Sequence, residues 1–124
     1  MENSSEAKRI LLVDDTDMNR LVCKKMLEKF GCTVDAVADG RQCINKITEG
    51  NAYDAVFMDI LMPEMNGIET FGELKKTEGF NIPVVALTAD TENGAEDKYR
   101  EMGFAAFLIK PFTVPLLTKV LEEI

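Results

Sequence analysis

Five short apolar runs, separated by segments with helical periodicity, constrain the fold of this chain more than any other feature. Most of these runs are continuous rather than alternating, which is typical of parallel strands covered on both faces. They span residues 10–13 (ILLV), 33–38 (TVDAVA), 55–58 (AVFM), 84–87 (VVAL) and 107–109 (FLI).

The segments between the runs carry apolar residues at spacings of three and four, which predicts helices. The stripe of the first helix is predicted to comprise Met18, Leu21, Val22, Met26, Leu27 and Phe30, and the helix is predicted to stop at Gly31. The stripe of the second helix contains Ile44 and Ile47, and that of the third contains Ile68, Phe71 and Leu74. The stripe of the last helix contains Leu117, Val120, Leu121 and Ile124. The fourth, 95–102, is weak, because Tyr99 and Met102 are its only large apolar residues.

Strands that alternate with helices in this way predict a parallel sheet built from right-handed crossovers. The length of 124 residues is that of one domain. We therefore expect a polar lead over residues 1–8, followed by a single doubly wound α/β sandwich over 9–124.

Composition excludes several classes of function. The chain has 14 basic and 22 acidic residues, a net charge of −8, which argues against direct contact with nucleic acid. It has no apolar run long enough to cross a membrane and no apolar core for a signal peptide, so we expect a cytoplasmic protein without direct membrane contact. Cys23, Cys32 and Cys43 lack CxxC spacing and are expected to be reduced thiols. The absence of histidine excludes Ser-His-Asp and Cys-His sites and zinc held by histidine.

Charged or hydroxyl side chains follow four of the five apolar runs. They are Asp14 and Asp15, Asp59, Thr88, and Lys110. The carboxyl ends of parallel strands form one edge of the sheet, where ligands bind in such folds. Taken singly, each residue is ordinary for a strand end. Together, three carboxylates repel one another unless positive charge lies among them, which Lys110 and a cation such as Mg²⁺, with Mn²⁺ as the alternative, would supply. The set therefore predicts phosphoryl transfer with an aspartate nucleophile.

The segments ILLVDD, YDAVFMDILMPEMNG, PVVALTA and FLIKPF, in this order across essentially the whole chain, resemble the four signatures of the receiver domain of two-component signalling proteins. The segments NRLV…LEKFG and VFMDILMPEMNGIE are most similar to those of receivers in hybrid sensor histidine kinases. The resemblance implies a flavodoxin-like (βα)5 sandwich whose parallel sheet has the strand order 2-1-3-4-5.

The resemblance also implies a role for each site residue. Asp59 would be the phosphoacceptor. Asp15 would bind Mg²⁺ directly and Asp14 through water, with Asp59 and the backbone carbonyl of Leu61 completing the protein ligands. The Thr88 hydroxyl would donate a hydrogen bond to the phosphoryl group, and Lys110 would pair with it.

Further positions would tune or transmit the signal. Phe107 occupies the place of the switch aromatic, whose ring turns inward when Thr88 moves toward the phosphate. Leu61 and Asp90 occupy the two positions that tune the lifetime of the phosphoryl group. Their expected effects on this lifetime are opposite, because Leu61 cannot orient a water molecule whereas Asp90 could. The Lys110–Pro111 bond resembles the cis peptide that aims the lysine.

The leading hypothesis is a phosphoacceptor receiver in a His-to-Asp phosphorelay. A histidine kinase or a histidine phosphotransfer domain would donate to Asp59, and helix 4, strand 5 and helix 5 would form the output surface toward a downstream effector. We expect the segment 90–103 to respond to phosphorylation, and the same surface is the candidate homodimer interface. The chain would turn over no external substrate, and it would be a stand-alone regulator or the cytosolic part of a membrane-anchored hybrid kinase.

A small phosphatase of the haloacid-dehalogenase type is the alternative. Asp15 would then be the nucleophile, and Asp17 lies at the spacing of that family's acid. This reading leaves Asp59 without a role. A flavodoxin-like cofactor binder fits poorly, because the sequence DDTD after the first strand would repel a phosphate.

Overall fold

The computed structural model describes residues 8–62, 65–89, 94–110 and 112–124. Five parallel strands alternate with five helices, and the strand order is β2-β1-β3-β4-β5. The strands are β1 Arg9–Val13, β2 Thr33–Val37, β3 Ala55–Asp59, β4 Val84–Thr88 and β5 Ala106–Ile109. The helices are α1 Asp17–Lys29, α2 Gly40–Thr48, α3 Gly67–Lys75, α4 Ala95–Glu101 and α5 Val114–Glu123. The predicted fold class and strand order are confirmed.

The sheet has an apolar core on each face, which explains why the strands are continuous apolar runs. Alternate residues along a strand point to opposite faces. Leu11 of β1 and Met58 of β3 belong to the core cluster that also contains residues of α2, α3 and α4, whereas Leu12 and Phe57 belong to the cluster that contains residues of α1 and α5. Because both faces are covered, neither set of side chains needs to be polar.

The predicted buried stripe of α1 is wrong at its N-terminal end. Met18, Leu21 and Val22 are 68%, 50% and 51% exposed, and the buried residues of α1 are Cys23 and Leu27. The helix turns a narrower face to the sheet, centred on this i, i+4 pair. The predicted stripe comprised only the larger apolar side chains and left out Cys23, whose small side chain is buried. Three apolar side chains of α1 consequently face solvent.

The other helices follow their predicted stripes more closely, although Ile68 of α3 is 37% exposed. Phe71 and Leu74 of α3 are buried, as are Leu117 and Val120 of α5. The weak fourth helix forms and is anchored by the buried ring of Tyr99. Among the described residues, no helix is long and apolar enough to span a bilayer.

Candidate functional site

The carboxyl ends of β1 and β3 bring three carboxylates together. The two strands are neighbours with Val13 opposite Met58, so Asp14 and Asp59 lie side by side. One carboxylate oxygen from each of Asp14, Asp15 and Asp59 lies within 4.8 Å of the others. Asp14 and Asp59 are 0% and 4% exposed, whereas Asp15 is exposed. The predicted acidic cluster therefore exists, with two buried members and one that faces solvent.

Lys110 supplies a positive charge inside this cluster. Its Nζ lies 3.3 Å from Asp14 Oδ2 and 3.3 Å from Asp59 Oδ2. Its backbone N–H donates to the Thr88 carbonyl at 2.8 Å, which fixes the lysine at the end of β4. One ammonium among three carboxylates leaves two negative charges in excess, so the site favours a further cation.

Burial raises the pKa of Asp59 from its ordinary 3.8 to about 6, with the neighbouring Asp14 charge adding to the rise and Lys110 opposing it. For Lys110, burial alone would lower the pKa, but the Asp59 and Asp14 carboxylates outweigh it and the pKa is raised. Lys110 is therefore an ammonium and Asp59 a carboxylate at neutral pH. A desolvated carboxylate of this kind is a suitable nucleophile.

The backbone after β3 holds the Asp59 side chain in place. Asp59 is the last residue of β3 rather than the first beyond it, and the next N–H, that of Ile60, donates to the Leu87 carbonyl at 2.9 Å. The Leu61 N–H donates to Asp59 Oδ1 at 3.2 Å, while the Leu61 side chain is 73% exposed. One carboxylate oxygen thus accepts from the backbone and the other faces Lys110.

Helix α3 begins directly against the end of β3, and only glycine permits this approach. The Gly67 N–H donates to the Ile60 carbonyl at 2.9 Å. A Cβ at Gly67 would lie 2.4 Å from the Asp59 carbonyl oxygen. Asn66 and Glu69 form a reciprocal capping box at the first turn of the helix. The start of α3 is therefore held directly against the end of β3 that carries Asp59.

Arg20 is a supporting residue that the sequence reasoning missed. It donates to the Asp14 carbonyl at 2.8 Å and also pairs with Asp17. Asp14 Oδ1 accepts the Thr16 N–H at 3.0 Å, so the turn between β1 and α1 is held from both sides. The spacing of three residues between Asp17 and Arg20 could have predicted this ion pair, because residues three apart are neighbours on a helix.

Thr88 and Phe107 lie on the neighbouring strands β4 and β5. Thr88 is buried as the last residue of β4 and lies opposite Ile109, while Phe107 is half-buried opposite Ala86. The ring of Phe107 stacks on that of Tyr99, a contact between separate elements that the sequence analysis did not predict. Two other predicted positions, Asp90 and Pro111, lie outside the described residues.

The donor set suits a hard divalent cation. Carboxylate oxygens are the ligands that Mg²⁺ and Mn²⁺ prefer, and opposite ligands of an octahedral Mg²⁺ are roughly 4.2 Å apart. The spread of 4.8 Å among the oxygens of Asp14, Asp15 and Asp59 is close to that span. The side chains of these three residues could therefore hold the ion.

Comparison with known proteins agrees with this geometry. Residues 10–122 match the response regulator receiver domain family. Two-component response regulator 24 of Arabidopsis thaliana is 30% identical over 125 residues, which cover 100% of this chain and 89% of that protein. Hybrid signal transduction histidine kinase L of Dictyostelium discoideum is 34% identical over 121 residues, 93% of this chain but only 7% of the kinase.

A solved structure shares the fold. The receiver domain of sensor histidine kinase PA1611 from Pseudomonas aeruginosa, which carries a magnesium ion in its active site cleft, aligns with a TM-score of 0.81 and 33% identity. The alignment covers 94% of this chain and 95% of that one. These matches lend no support to the phosphatase alternative. With this fold and an acidic pocket at the carboxyl edge of its sheet, the chain belongs to the response regulator receiver domain family of two-component phosphorelays.

Proposed function

We propose that the chain is a phosphorylation switch in which Asp59 accepts a phosphoryl group from a phosphohistidine on a partner. The observation that carries this proposal is the buried Asp59 carboxylate, 3.3 Å from the ammonium of Lys110 and clustered with Asp14 and Asp15. The histidine would lie on another domain or another protein, because these 124 residues contain none. The donor would be a histidine kinase or a histidine phosphotransfer domain.

In the transfer, an Asp59 carboxylate oxygen forms a bond to phosphorus while the bond from phosphorus to the imidazole nitrogen breaks. The nitrogen keeps the bonding electron pair, and the product is an aspartyl phosphate. Lys110 pairs with the phosphoryl oxygens and the Thr88 hydroxyl donates to them. Asp15 directly, Asp14 through water, and the carboxylate of Asp59 would hold Mg²⁺ or Mn²⁺. When bound, the cation neutralises charge on the phosphoryl oxygens.

Several further roles belong to the same proposal. The backbone carbonyl of Leu61 would complete the metal ligands, and Leu61 and Asp90 would tune the lifetime of the phosphoryl group. Thr88 and Phe107 move together and alter the surface of α4, β5 and α5, which binds the effector or a second copy. The chain catalyses only its own phosphorylation and slow dephosphorylation.

The exposed side chains of α1 are suited to contact the phosphodonor. The helix begins three residues after Asp14, so its first turns border the site, and they expose Met18, Leu21 and Val22. The helix also carries two more basic than acidic residues in a chain of net charge −8, from Arg20, Lys24, Lys25 and Lys29 against Asp17 and Glu28. A donor surface with apolar residues and an acidic rim would complement it.

A cavity of about 240 Å³ lies between α1 and the segment after β5. Its walls include Val22, Met26 and Phe112, and Lys110 also lines it. An apolar side chain of the donor placed there would lie beside the lysine of the site, which would bring the phosphohistidine within reach of Asp59.

The switch would occupy residues 9–124, with 1–8 as a polar lead. The motifs that resemble hybrid kinases favour the receiver of a larger kinase over a stand-alone regulator. In either case the domain would work in the cytoplasm, where the kinase domains of such relays have access to ATP.

Transfer from a purified phosphohistidine donor tests the function. With radiolabelled phosphohistidine on a histidine phosphotransfer domain and Mg²⁺ present, label should move to the wild-type chain and not to Asp59→Asn. Asp97→Asn, an exposed carboxylate of α4, is the matched control and should accept label at the wild-type rate. Equal labelling of Asp59→Asn would refute the proposal.

A further inference from the structure

Four aromatic rings form a continuous row beneath α4. Phe71 of α3 contacts Phe104 with ring centroids 4.4 Å apart, and Phe104 meets Tyr99 edge-to-face at 5.9 Å. Tyr99 in turn stacks on Phe107 at 5.6 Å, with 19° between the ring planes. All three distances fall within or close to the range of favourable aromatic pairs.

Three rings of the row are more deeply buried than the fourth. Phe71, Phe104 and Tyr99 are at least 95% buried, whereas Phe107 is only half-buried. The last turn of α4 is pinned as well, because Arg100 donates to the Ala105 carbonyl at 3.0 Å and pairs with Glu123 of α5 at 3.7 Å. Tyr99 is thus a buried ring, held on an anchored helix turn, against which the less buried ring of Phe107 stacks.

Phe107 lies on the same face of the sheet as Thr88. Its direct neighbour on β4 is Ala86, and Thr88 lies two residues further along that strand. Ala86 has only a methyl side chain, so no bulky neighbour on β4 separates the ring from Thr88. A rotation of Phe107 along the sheet toward Thr88 would carry it off the Tyr99 ring.

We propose that Tyr99 is a positioning residue that holds Phe107 in its stacked orientation and thereby sets how readily the chain takes up a phosphoryl group. This inference rests on the proposed function, in which Phe107 turns inward as Thr88 moves toward the phosphate. The stack and the inward rotation compete for the same ring. A group that favours one orientation must oppose the binding of a ligand that favours the other.

The strength of the stack limits the size of the effect. An aromatic pair contributes about 0.5–1.5 kcal/mol beyond its buried area, which corresponds to about 2- to 12-fold in an equilibrium constant. Removing the ring of Tyr99 should therefore tighten the binding of a phosphoryl mimic by a factor in this range. Removing only its hydroxyl should change the binding less than twofold, because the ring carries the contact.

The test uses beryllofluoride as the phosphoryl mimic at a fixed, saturating Mg²⁺ concentration, with the Kd measured by titration calorimetry. Tyr99→Leu should bind it about 2- to 12-fold more tightly than wild type, and Tyr99→Phe should bind it as wild type does. Tyr99→Met is the substitute if the leucine variant does not fold. Phe30→Leu, a half-buried ring on the other face of the sheet, is the control for general loosening and should leave the Kd unchanged.

A double-mutant cycle separates positioning from a merely structural role. In a Phe107→Leu background, Tyr99→Leu should no longer alter the Kd, because the ring on which Tyr99 acts is absent. An effect of equal size in both backgrounds, or no effect in either, would overturn the inference. Failure of wild type to take phosphate on Asp59 from phosphoramidate would instead refute the proposed function, so the two failures are distinguishable.

Discussion

Replacing Asp59 with asparagine should stabilise the fold, although it removes the group proposed to accept the phosphate. Burial raises the pKa of this carboxyl from 3.8 to about 6, so its charged form is less stable in the folded chain than in the unfolded one. Asparagine has almost the same shape and no charge, and its side-chain oxygen can still accept from the Leu61 N–H. Lys110 keeps its partner Asp14 at 3.3 Å.

The magnitude and its pH dependence follow from that difference in pKa. Each factor of ten in proton affinity is worth about 1.4 kcal/mol, so charged Asp59 destabilises the folded chain by about 3 kcal/mol at pH 7.5. Between about pH 4 and pH 6 the folded chain binds more protons than the unfolded chain, and stability falls as the pH rises. The advantage of Asp59→Asn should therefore be complete above pH 6 and vanish below pH 4.

Urea unfolding followed by circular dichroism at pH 4 and pH 7.5 measures this difference. EDTA must be present, because a bound cation would itself stabilise the wild-type site. Asp97→Asn should alter the unfolding free energy by no more than about 0.5 kcal/mol at either pH, since this carboxylate is exposed. If Asp59→Asn does not raise the unfolding free energy at pH 7.5, or raises it equally at pH 4, then the buried Asp59 carboxylate does not destabilise the fold as described.

Three further predictions concern the support of the site, the donor surface and the thiols. Gly67→Ala should cost about 1–3 kcal/mol in urea unfolding, because its Cβ would meet the Asp59 carbonyl oxygen, whereas Gly72→Ala, in open space on the same helix, should gain about 0.5–1 kcal/mol; equal effects would contradict the close approach. Val22→Glu should slow transfer from a phosphohistidine protein at least about tenfold, which corresponds to a loss of roughly 1.4 kcal/mol of binding free energy for the donor protein. Phosphorylation by phosphoramidate should be unchanged. Equal slowing with both donors would exclude a role of Val22 in docking. Burial raises the pKa of Cys23 to about 11 and that of Cys43 to about 12, so both thiols should resist iodoacetamide at pH 8 until the chain is unfolded; rapid alkylation of the native chain would contradict their burial.

The sequence was sufficient to predict which residues meet at the site. Parallel strands share one carboxyl edge, so Asp14, Asp59 and Lys110 had to converge once the strands were recognised. The predicted strand ends differ from the observed ones by at most one residue. Strand β3 includes Asp59 because the N–H of the next residue donates to a carbonyl of the neighbouring strand, and the sequence does not reveal this hydrogen bond.

The remaining features depend on contacts between elements. The width of the α1 face that meets the sheet is set by how the helix packs, so the exposure of Met18 and Val22 could not be deduced from spacing alone. The stack of Tyr99 on Phe107 joins α4 to β5, and the sequence gives no register between those two elements. Arg20 was within reach of sequence reasoning, since its spacing from Asp17 is that of neighbouring helical residues.

Chemical trapping of the phosphorylated residue tests the central claim most directly. The chain would be treated with phosphoramidate and Mg²⁺, reduced with borohydride, which converts an aspartyl phosphate to homoserine, and mapped by peptide mass spectrometry. We expect homoserine at position 59 alone, and none in Asp59→Asn. Homoserine at Asp15, or phosphate uptake that persists in Asp59→Asn, would contradict the assignment of Asp59 as the phosphoacceptor.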